Sequence, residues 1–206
     1  MATELKFCGM RREADILAAN ACLPDYIGFV FAAGARRAVT PETARELRAK
    51  ADPRILAVGV FADQSPAYIA DAAAKVPLDV IQLHGSESET VVEEIRRRTG
   101  KPVWRAFQVT APAVLTTAAE TGADGILLDS GKGSGKTFAW EWLRYFSRPY
   151  MLAGGLDIEN VGEAIKTLSP RGVDVSSALE TDGKKDPEKM RAFAEAVRRA
   201  DSETER

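Results

Sequence analysis

Side chains with useful chemistry follow several short apolar runs of this sequence. Cys8 and His84 each follow such a run and precede a glycine, and Asp129 ends another run and precedes a serine. A free thiol has a pKa of about 8.5 and is partly thiolate at neutral pH, so it can act as a base. A carboxyl group that burial keeps protonated can act as an acid. Glycines and polar residues share this placement after other apolar runs: Gly154, Gly155, Asp174, Ser176 and Ser177.

The composition is typical of a single globular domain. The 206 residues are 45% hydrophobic and 28% charged, and domains commonly contain roughly 100–200 residues. Lys and Arg number 28 against 30 Asp and Glu, so the formal net charge of −2 does not favour binding of nucleic acid by bulk charge. No apolar run approaches the roughly 20 residues of a membrane-spanning helix, and residues 1–8 lack a signal-peptide pattern. We therefore expect a cytoplasmic protein with no nucleic acid and no membrane partner.

The numbers of cysteine and histidine residues narrow the chemistry further. The two cysteines, Cys8 and Cys22, are too few for a disulfide framework or for a zinc site built from thiolates. The single histidine, His84, argues against a metal-dependent sugar-phosphate epimerase, which needs several histidines and carboxylates. We expect no metal and no cofactor, and we interpret Cys22 as a packing residue.

Apolar runs alternate along the chain with longer stretches of helical spacing. The runs are bounded by Gly, Pro, Asp or Ser, which is typical of strands buried on both faces of a parallel sheet. Thr40, Ser65 and Asp186 each precede a proline and predict helix starts, and Ser86 with Glu89 has the spacing of a capping box. The predicted strands comprise residues 5–8, 26–31, 55–61, 80–83, 103–107, 125–129, 150–153 and 173–175.

About eight strand–helix units predict a single-domain (β/α)8 barrel over residues 1–206, with residues 199–206 as a frayed tail. A doubly wound parallel sheet has the same alternation and is the alternative fold. In a barrel, the loops after the strands meet at one mouth, where the chemistry of such proteins takes place. Position alone leaves other interpretations open: Cys8 can be a small buried hydrophobe, Asp129 a helix cap, and the Gly154-Gly155 pair an ordinary turn.

Eight short segments of the sequence belong together: 6–10 (KFCGM), 28–31 (GFVF), 58–61 (VGVF), 81–85 (IQLHG), 127–130 (LLDS), 133–140 (GSGKTFAW), 152–156 (LAGGL) and 173–177 (VDVSS). In this order they resemble the phosphoribosylanthranilate isomerase family of tryptophan biosynthesis. They cover nearly the whole chain, and their agreement in order is more specific than any one of them. The resemblance implies a (β/α)8 barrel that converts N-(5-phosphoribosyl)anthranilate into 1-(2-carboxyphenylamino)-1-deoxyribulose 5-phosphate by an Amadori rearrangement. An acid must open the sugar ring, and a base must take the proton from C2′.

The resemblance also implies roles for individual residues. Cys8 matches the family's general base and Asp129 its general acid. Arg37 aligns with the arginine that binds the anthranilate carboxylate, a contact suited to a planar guanidinium group, although Arg36 is one residue away. Backbone N–H groups after the last two strands are expected to bind the phosphate. The remaining substrate-binding residues are Gln82, His84, Gly154, Gly155, Asp174, Ser176 and Ser177.

Three positions depart from the family pattern. Lys132 replaces a glycine and Ala139 replaces Asp or Asn in the loop after the sixth strand, which is expected to close over substrate. Ala178 replaces the glycine after the paired serines, a change that the phosphate site tolerates if the backbone φ is negative. The acid and the base are unaffected.

Other functions remain open from the sequence. The related aminoaldose isomerase of histidine biosynthesis uses carboxylates for both proton transfers, and a bifunctional enzyme or a non-catalytic barrel that binds a phosphorylated ligand is also possible. Residues 131–137 (GKGSGKT) resemble part of a nucleotide-binding P-loop, but Ser130 stands where the pattern needs glycine. We expect a small phosphorylated substrate as partner, bound by a monomer or a homodimer.

Overall fold

The computed structural model describes residues 2–130 and 138–204, and within them eight parallel strands form a closed barrel in chain order. The predicted (β/α)8 barrel is therefore confirmed, and closure rules out the open doubly wound sheet. The strands are β1 (Glu4–Cys8), β2 (Tyr26–Val30), β3 (Leu56–Phe61), β4 (Val80–Leu83), β5 (Val103–Gln108), β6 (Gly125–Asp129), β7 (Met151–Ala153) and β8 (Gly172–Val175). The helices are α1 (Glu13–Cys22), α2 (Pro41–Arg48), α3 (Pro66–Lys75), α4 (Glu89–Thr99), α5 (Ala113–Glu120), α6 (Phe138–Leu143), α7 (Val161–Leu168) and α8 (Pro187–Thr204).

The barrel closes where β1 pairs with both β2 and β8. Cys8 lies opposite Gly28 in the β1–β2 ladder, and Lys6 lies opposite Asp174 in the β1–β8 ladder. Lys6 and Cys8 are two residues apart, so their side chains leave β1 on the same face. The first and the last strand of the chain are therefore neighbours in the barrel.

Apolar side chains pack in two groups, one inside the barrel and one between the barrel and its helices. The inner group includes Tyr26 and Trp104, whose ring centroids lie 5.0 Å apart at 68°. The outer group includes Phe7, Ile27 and Phe29, which are fully buried on the alternating positions of β1 and β2. Both faces of the strands are thus apolar, which explains their continuous hydrophobic runs.

Most of the predicted helix starts are confirmed. The Thr40 hydroxyl accepts a hydrogen bond from the Thr43 N–H, and the Ser65 hydroxyl accepts one from the Tyr68 N–H. Asp186 precedes α8, and its Oδ1 accepts from the backbone N–H groups of the next helical turn. These side chains satisfy N–H groups that the first turn of a helix leaves unpaired.

The predicted capping box at Ser86 is wrong. Ser88 caps α4 instead, and its hydroxyl accepts from the Val91 N–H. Ser86 lies in the preceding loop, where its hydroxyl donates to Asp63. The carboxylate of buried Glu87 accepts from the N–H groups of Gly85 and Asp63, which keeps these residues in the loop and delays the helix.

The end of α8 differs from the expected frayed tail, because residues 199–204 are helical. Ala200 is buried in the outer core, and the Asp201 carboxylate accepts hydrogen bonds from the Thr3 N–H at 2.9 Å and from its hydroxyl at 2.6 Å. These contacts join the last helix to the start of β1. Among the helices of the described residues, none is long and apolar enough to span a membrane.

Candidate active site

A cavity of about 380 Å³ opens at the mouth of the barrel, at the carboxyl ends of the strands. Its wall combines apolar side chains with a thiol, an imidazole, carboxylates and guanidinium groups. The loops that follow different strands supply these groups, as expected for a barrel. The predicted site residues in its wall are Cys8, Arg37, His84, Asp129, Gly154, Gly155, Asp174, Ser176 and Ser177.

Cys8 is half-buried at the end of β1, and the opposite residue on β2 makes room for it. A Cβ atom added at Gly28 would lie 2.8 Å from the Cys8 sulfur and 3.2 Å from the Lys6 Nζ. Glycine therefore allows both side chains to occupy the space beside β2. Gly28 begins the 28–31 segment (GFVF) of the family resemblance, and this close approach gives the glycine a physical reason.

Lys6 is a buried cation beneath the cavity. Its Nζ lies 2.9 Å from Asp174 Oδ1, and the lysine side chain is fully buried. Burial disfavours the charged amine, but Asp174 and Cys8 outweigh this effect and raise the pKa of Lys6 above its ordinary value. Asp174, which the resemblance assigns to substrate binding, lies in the cavity wall and is bound to Lys6.

The pKa of the Cys8 thiol lies above its ordinary value because the group is buried. Lys6 opposes this shift most strongly, Asp174 adds to it, and Lys185 opposes it as well. The sulfur is therefore surrounded by two ammonium groups and one carboxylate. Sequence reasoning assigned no role to either lysine.

His84 lies between an amide and a carboxyl group. Gln82 Nε2 is 3.1 Å from His84 Nδ1, and His84 Nε2 is 3.5 Å from Asp129 Oδ2. Gln82 is fully buried behind the histidine and outside the cavity wall, so it orients the ring rather than facing the cavity. This position differs from the expectation that Gln82 is a pocket residue, because its side chain points inward from the middle of β4.

A short hairpin after β8, β9 (Glu180–Thr181) with β10 (Lys184–Lys185), contributes charged groups to the mouth. Glu180 accepts from Arg37 Nε at 2.5 Å and from Arg37 Nη2 at 3.0 Å, and it also pairs with Arg36 and Lys185. Burial disfavours the charged form of Glu180, but Arg37 and Lys185 outweigh it and lower its pKa to about 2. The Asp182-Gly183 turn between charged residues was a hairpin signal that sequence reasoning missed.

The loops after β7 and β8 form the opposite wall. Gly154 and Gly155 have φ values of +88° and +64°, a region that side chains rarely adopt. The Ser176 hydroxyl donates to the Cys8 carbonyl oxygen at 2.9 Å, whereas Ser177 is exposed and begins a single turn of 3₁₀ helix. Ala178 lies within that turn and has a negative φ, so alanine fits there without strain.

The other departures concern the segment after β6. Lys132 and the P-loop-like residues 131–137 lie outside the described residues. Ala139 lies in α6, which begins at Phe138.

A family model described as N-(5'phosphoribosyl)anthranilate (PRA) isomerase matches residues 5–196. The chain belongs to this isomerase family.

Similar PRA isomerases match the chain along almost all of its length. The N-(5'-phosphoribosyl)anthranilate isomerase of Paracoccus denitrificans is 41% identical over 206 residues, which is 94% of this chain and 96% of that protein. The crystal structure of phosphoribosyl anthranilate isomerase from Thermotoga maritima is 35% identical with a TM-score of 0.87, and covers 95% of this chain and 98% of its own.

One solved PRA isomerase holds a ligand. It is a complex with reduced 1-(o-carboxyphenylamino)-1-deoxyribulose 5-phosphate, 32% identical to this chain with a TM-score of 0.83. The match covers 95% of this chain and 98% of that one. That ligand carries a phosphate and an aromatic carboxylate.

Proposed function

We infer that Cys8 and Asp129 are the base and the acid with which this chain isomerises N-(5'-phosphoribosyl)anthranilate. The observation that carries the assignment is that a thiol from β1 and a carboxyl group from β6 line one cavity in a member of this family. The reaction is an aldose–ketose isomerisation within tryptophan biosynthesis. The substrate also carries a phosphate, which requires a separate anion site at the same mouth.

The proton transfers divide between the two side chains. Asp129 protonates the ring oxygen, and the bond from that oxygen to the anomeric carbon breaks to give an open-chain Schiff base. The Cys8 thiolate then takes the proton from C2′, and the electron pair forms an enolamine, which becomes the ketone by proton transfer to carbon. A thiolate and a carboxyl group on different walls of one cavity suit these successive steps.

His84 supports the acid in this proposal. Its Nδ1 faces Gln82 and its Nε2 faces Asp129 at 3.5 Å, so the ring has a preferred orientation. When Asp129 has given up its proton, an Nε2–H group directed at Oδ2 stabilises the carboxylate. His84 thereby orients the acid without being assigned a proton transfer of its own.

Two parts of the wall bind the anionic ends of the substrate in this proposal. Arg37 binds the aromatic carboxylate, since a planar guanidinium group matches it. The backbone after Gly154 and at Ser177 binds the phosphate. Ser176 contributes its main chain, because its hydroxyl is committed to the Cys8 carbonyl oxygen.

A fluorescence assay tests the proposal. Substrate is generated in situ from anthranilate and phosphoribosyl pyrophosphate, and its disappearance is followed. Cys8→Ala and Asp129→Asn are each expected to lower kcat by ~10²–10⁴-fold with little change in KM, which is the usual contribution of an acid or base. Cys22→Ala is the matched control, because this second cysteine is buried in α1 away from the cavity.

Turnover near the wild-type value in either site variant would remove that residue from its role. Absence of turnover by folded wild-type protein would reject the reaction, and the aminoaldose phosphate of histidine biosynthesis would be tested next. The cytoplasmic location and the monomeric or homodimeric state stay predictions of the sequence.

A further inference from the structure

Lys6 places a cation beneath the cavity that the acid–base mechanism does not use. Its side chain is completely buried, and its position two residues before Cys8 directs both side chains to one face of β1. A buried ammonium group is costly unless it is paired, and Asp174 provides the pair across the β1–β8 seam. A neutral side chain of similar shape would fill this space without that cost, so the charge calls for a functional reason.

The local geometry brings the ammonium group to the sulfur. A Cβ atom placed on Gly28 would lie 2.8 Å from the Cys8 Sγ and 3.2 Å from the Lys6 Nζ. The two groups therefore share the small space that glycine leaves beside β2. An ammonium group at this place stabilises a negative charge on sulfur.

Three charged groups face Cys8 from the elements around it. Lys6 comes from β1, Asp174 from β8 and Lys185 from β10. Lys185 is held by the Ser176 carbonyl oxygen at 2.8 Å and by Glu180 at 3.3 Å, so its charge is engaged elsewhere. Of the two lysines, Lys6 acts more strongly on the thiol.

We propose that Lys6 is the positioning residue for Cys8: its ammonium group, anchored by Asp174, stabilises the thiolate form of the sulfur at the cavity wall against the effect of burial. This inference rests on the proposed function of Cys8 as base. Lys6 keeps its own proton throughout, and the proton from C2′ goes to sulfur. Burial alone would favour the neutral thiol, which cannot accept that proton, so the lysine maintains the reactive fraction.

The test measures the reactivity of the thiol rather than turnover alone. In a Cys22→Ala background, alkylation of Cys8 by iodoacetamide is followed by mass spectrometry from pH 6 to pH 10. Asp174→Asn is compared with Lys6→Met/Asp174→Asn, because Lys6→Met alone would leave the Asp174 carboxylate without its partner, whereas this pair differs only in the lysine. Lys184→Met serves as the control, since Lys184 is an exposed lysine of the same hairpin as Lys185.

The double variant is expected to be alkylated at least about tenfold more slowly at pH 8 than Asp174→Asn. Its alkylation midpoint should lie at least about one pH unit higher, since one pKa unit changes the thiolate fraction tenfold. The acid limb of its pH profile of kcat/KM should also move to higher pH. Lys6→Met is compared with wild type in the same way, and its alkylation is also expected to be slower. Circular dichroism verifies that each variant is folded.

Alkylation rates that agree within twofold between the paired variants, with midpoints that agree within about 0.3 pH unit, would overturn the inference. If wild type isomerises the substrate and these rates are unchanged, the role of Lys6 fails while the proposed function stands. If alkylation slows as expected but wild type gives no turnover, the Lys6–Cys8 coupling is supported and the proposed function is rejected.

Discussion

At the scale of single residues, Arg36 and Arg37 differ in their surroundings although they are adjacent. The Arg37 side chain is 19% exposed, and two of its nitrogens bind Glu180, whereas the Arg36 side chain is 61% exposed. The stem of Arg37 crosses directly over Gly9, where a Cβ atom would collide with its Cδ and where φ is +84°. Glycine at this position thus lets Arg37 reach the cavity in a fixed orientation.

The fixed orientation of Arg37 leads to a prediction on substrate binding. Arg37→Ala should raise KM by about 10–100-fold with a smaller effect on kcat, because a charge-assisted hydrogen-bonded contact contributes about 1.5–3 kcal/mol. Steady-state kinetics with substrate generated in situ measures both constants. Arg36→Ala is the neighbouring control, expected within twofold of wild type, and the opposite ranking would assign the carboxylate contact to Arg36.

At the scale of elements, the β9–β10 hairpin joins the loops around the mouth. Arg11 Nη2 donates to the Gly183 carbonyl oxygen at 2.6 Å, and Arg12 Nη2 donates to the Lys185 carbonyl oxygen at 3.1 Å. Glu180 on the same hairpin binds Arg37 from the loop after β2. The hairpin therefore fixes the first, second and last loops relative to one another.

The low pKa of Glu180 predicts how this hairpin responds to acid. A carboxyl group whose pKa falls from about 4.5 to about 2 on folding stabilises the folded state above about pH 4.5, and this contribution is lost as the pH falls toward 2. Glu180→Gln should therefore unfold at a lower temperature than wild type at pH 7, and the difference in Tm should shrink between pH 4.5 and pH 2.5. Thermal unfolding at several pH values measures this difference; a gap that stays constant with pH would contradict the prediction.

At the scale of the whole molecule, side chains from opposite strands fill the barrel. Trp104 on β5 is 4% exposed and contacts Tyr26 on β2 edge to face, across two intervening strands. A Cβ atom at Gly125 on β6 would contact the Trp104 ring closely, so the indole occupies the space that this glycine leaves. One aromatic side chain thereby connects three strands of the closed sheet.

Removal of this aromatic side chain should destabilise the whole barrel. Trp104→Ala is expected to lower the free energy of unfolding by about 3–5 kcal/mol, the usual effect of a large cavity in a core. Urea denaturation measures the change. Tyr145→Ala, at an aromatic residue that is 89% exposed, should change it by less than about 0.5 kcal/mol. A loss below about 1 kcal/mol at Trp104 would mean that the core collapses to fill the space.

Local signals in the sequence were sufficient for most of the fold. The eight apolar runs differ from the observed strands by at most one residue at either end, since strands buried on both faces must be apolar throughout. Thr40 and Ser65 cap helices as predicted, because a cap depends on neighbouring residues only. The cap at Ser86 and the end of α8 were mispredicted, because Glu87 binds the N–H of Asp63 from another loop and Asp201 binds Thr3, just before β1.

The sequence was enough to indicate the barrel, the family and the side chains at the barrel mouth. The signals were the order of the strands, the polar residues at their ends and the resemblance of eight segments. The partners of those side chains were not evident in the sequence. Lys6 meets Asp174 across 168 residues, Arg37 meets Glu180 across 143, and Gln82 lies behind His84 rather than in the cavity wall. Patterns along a chain report periodicity and local bonding, whereas the two long-range ion pairs form only when the first two strands and the last come together and their charged groups must find partners.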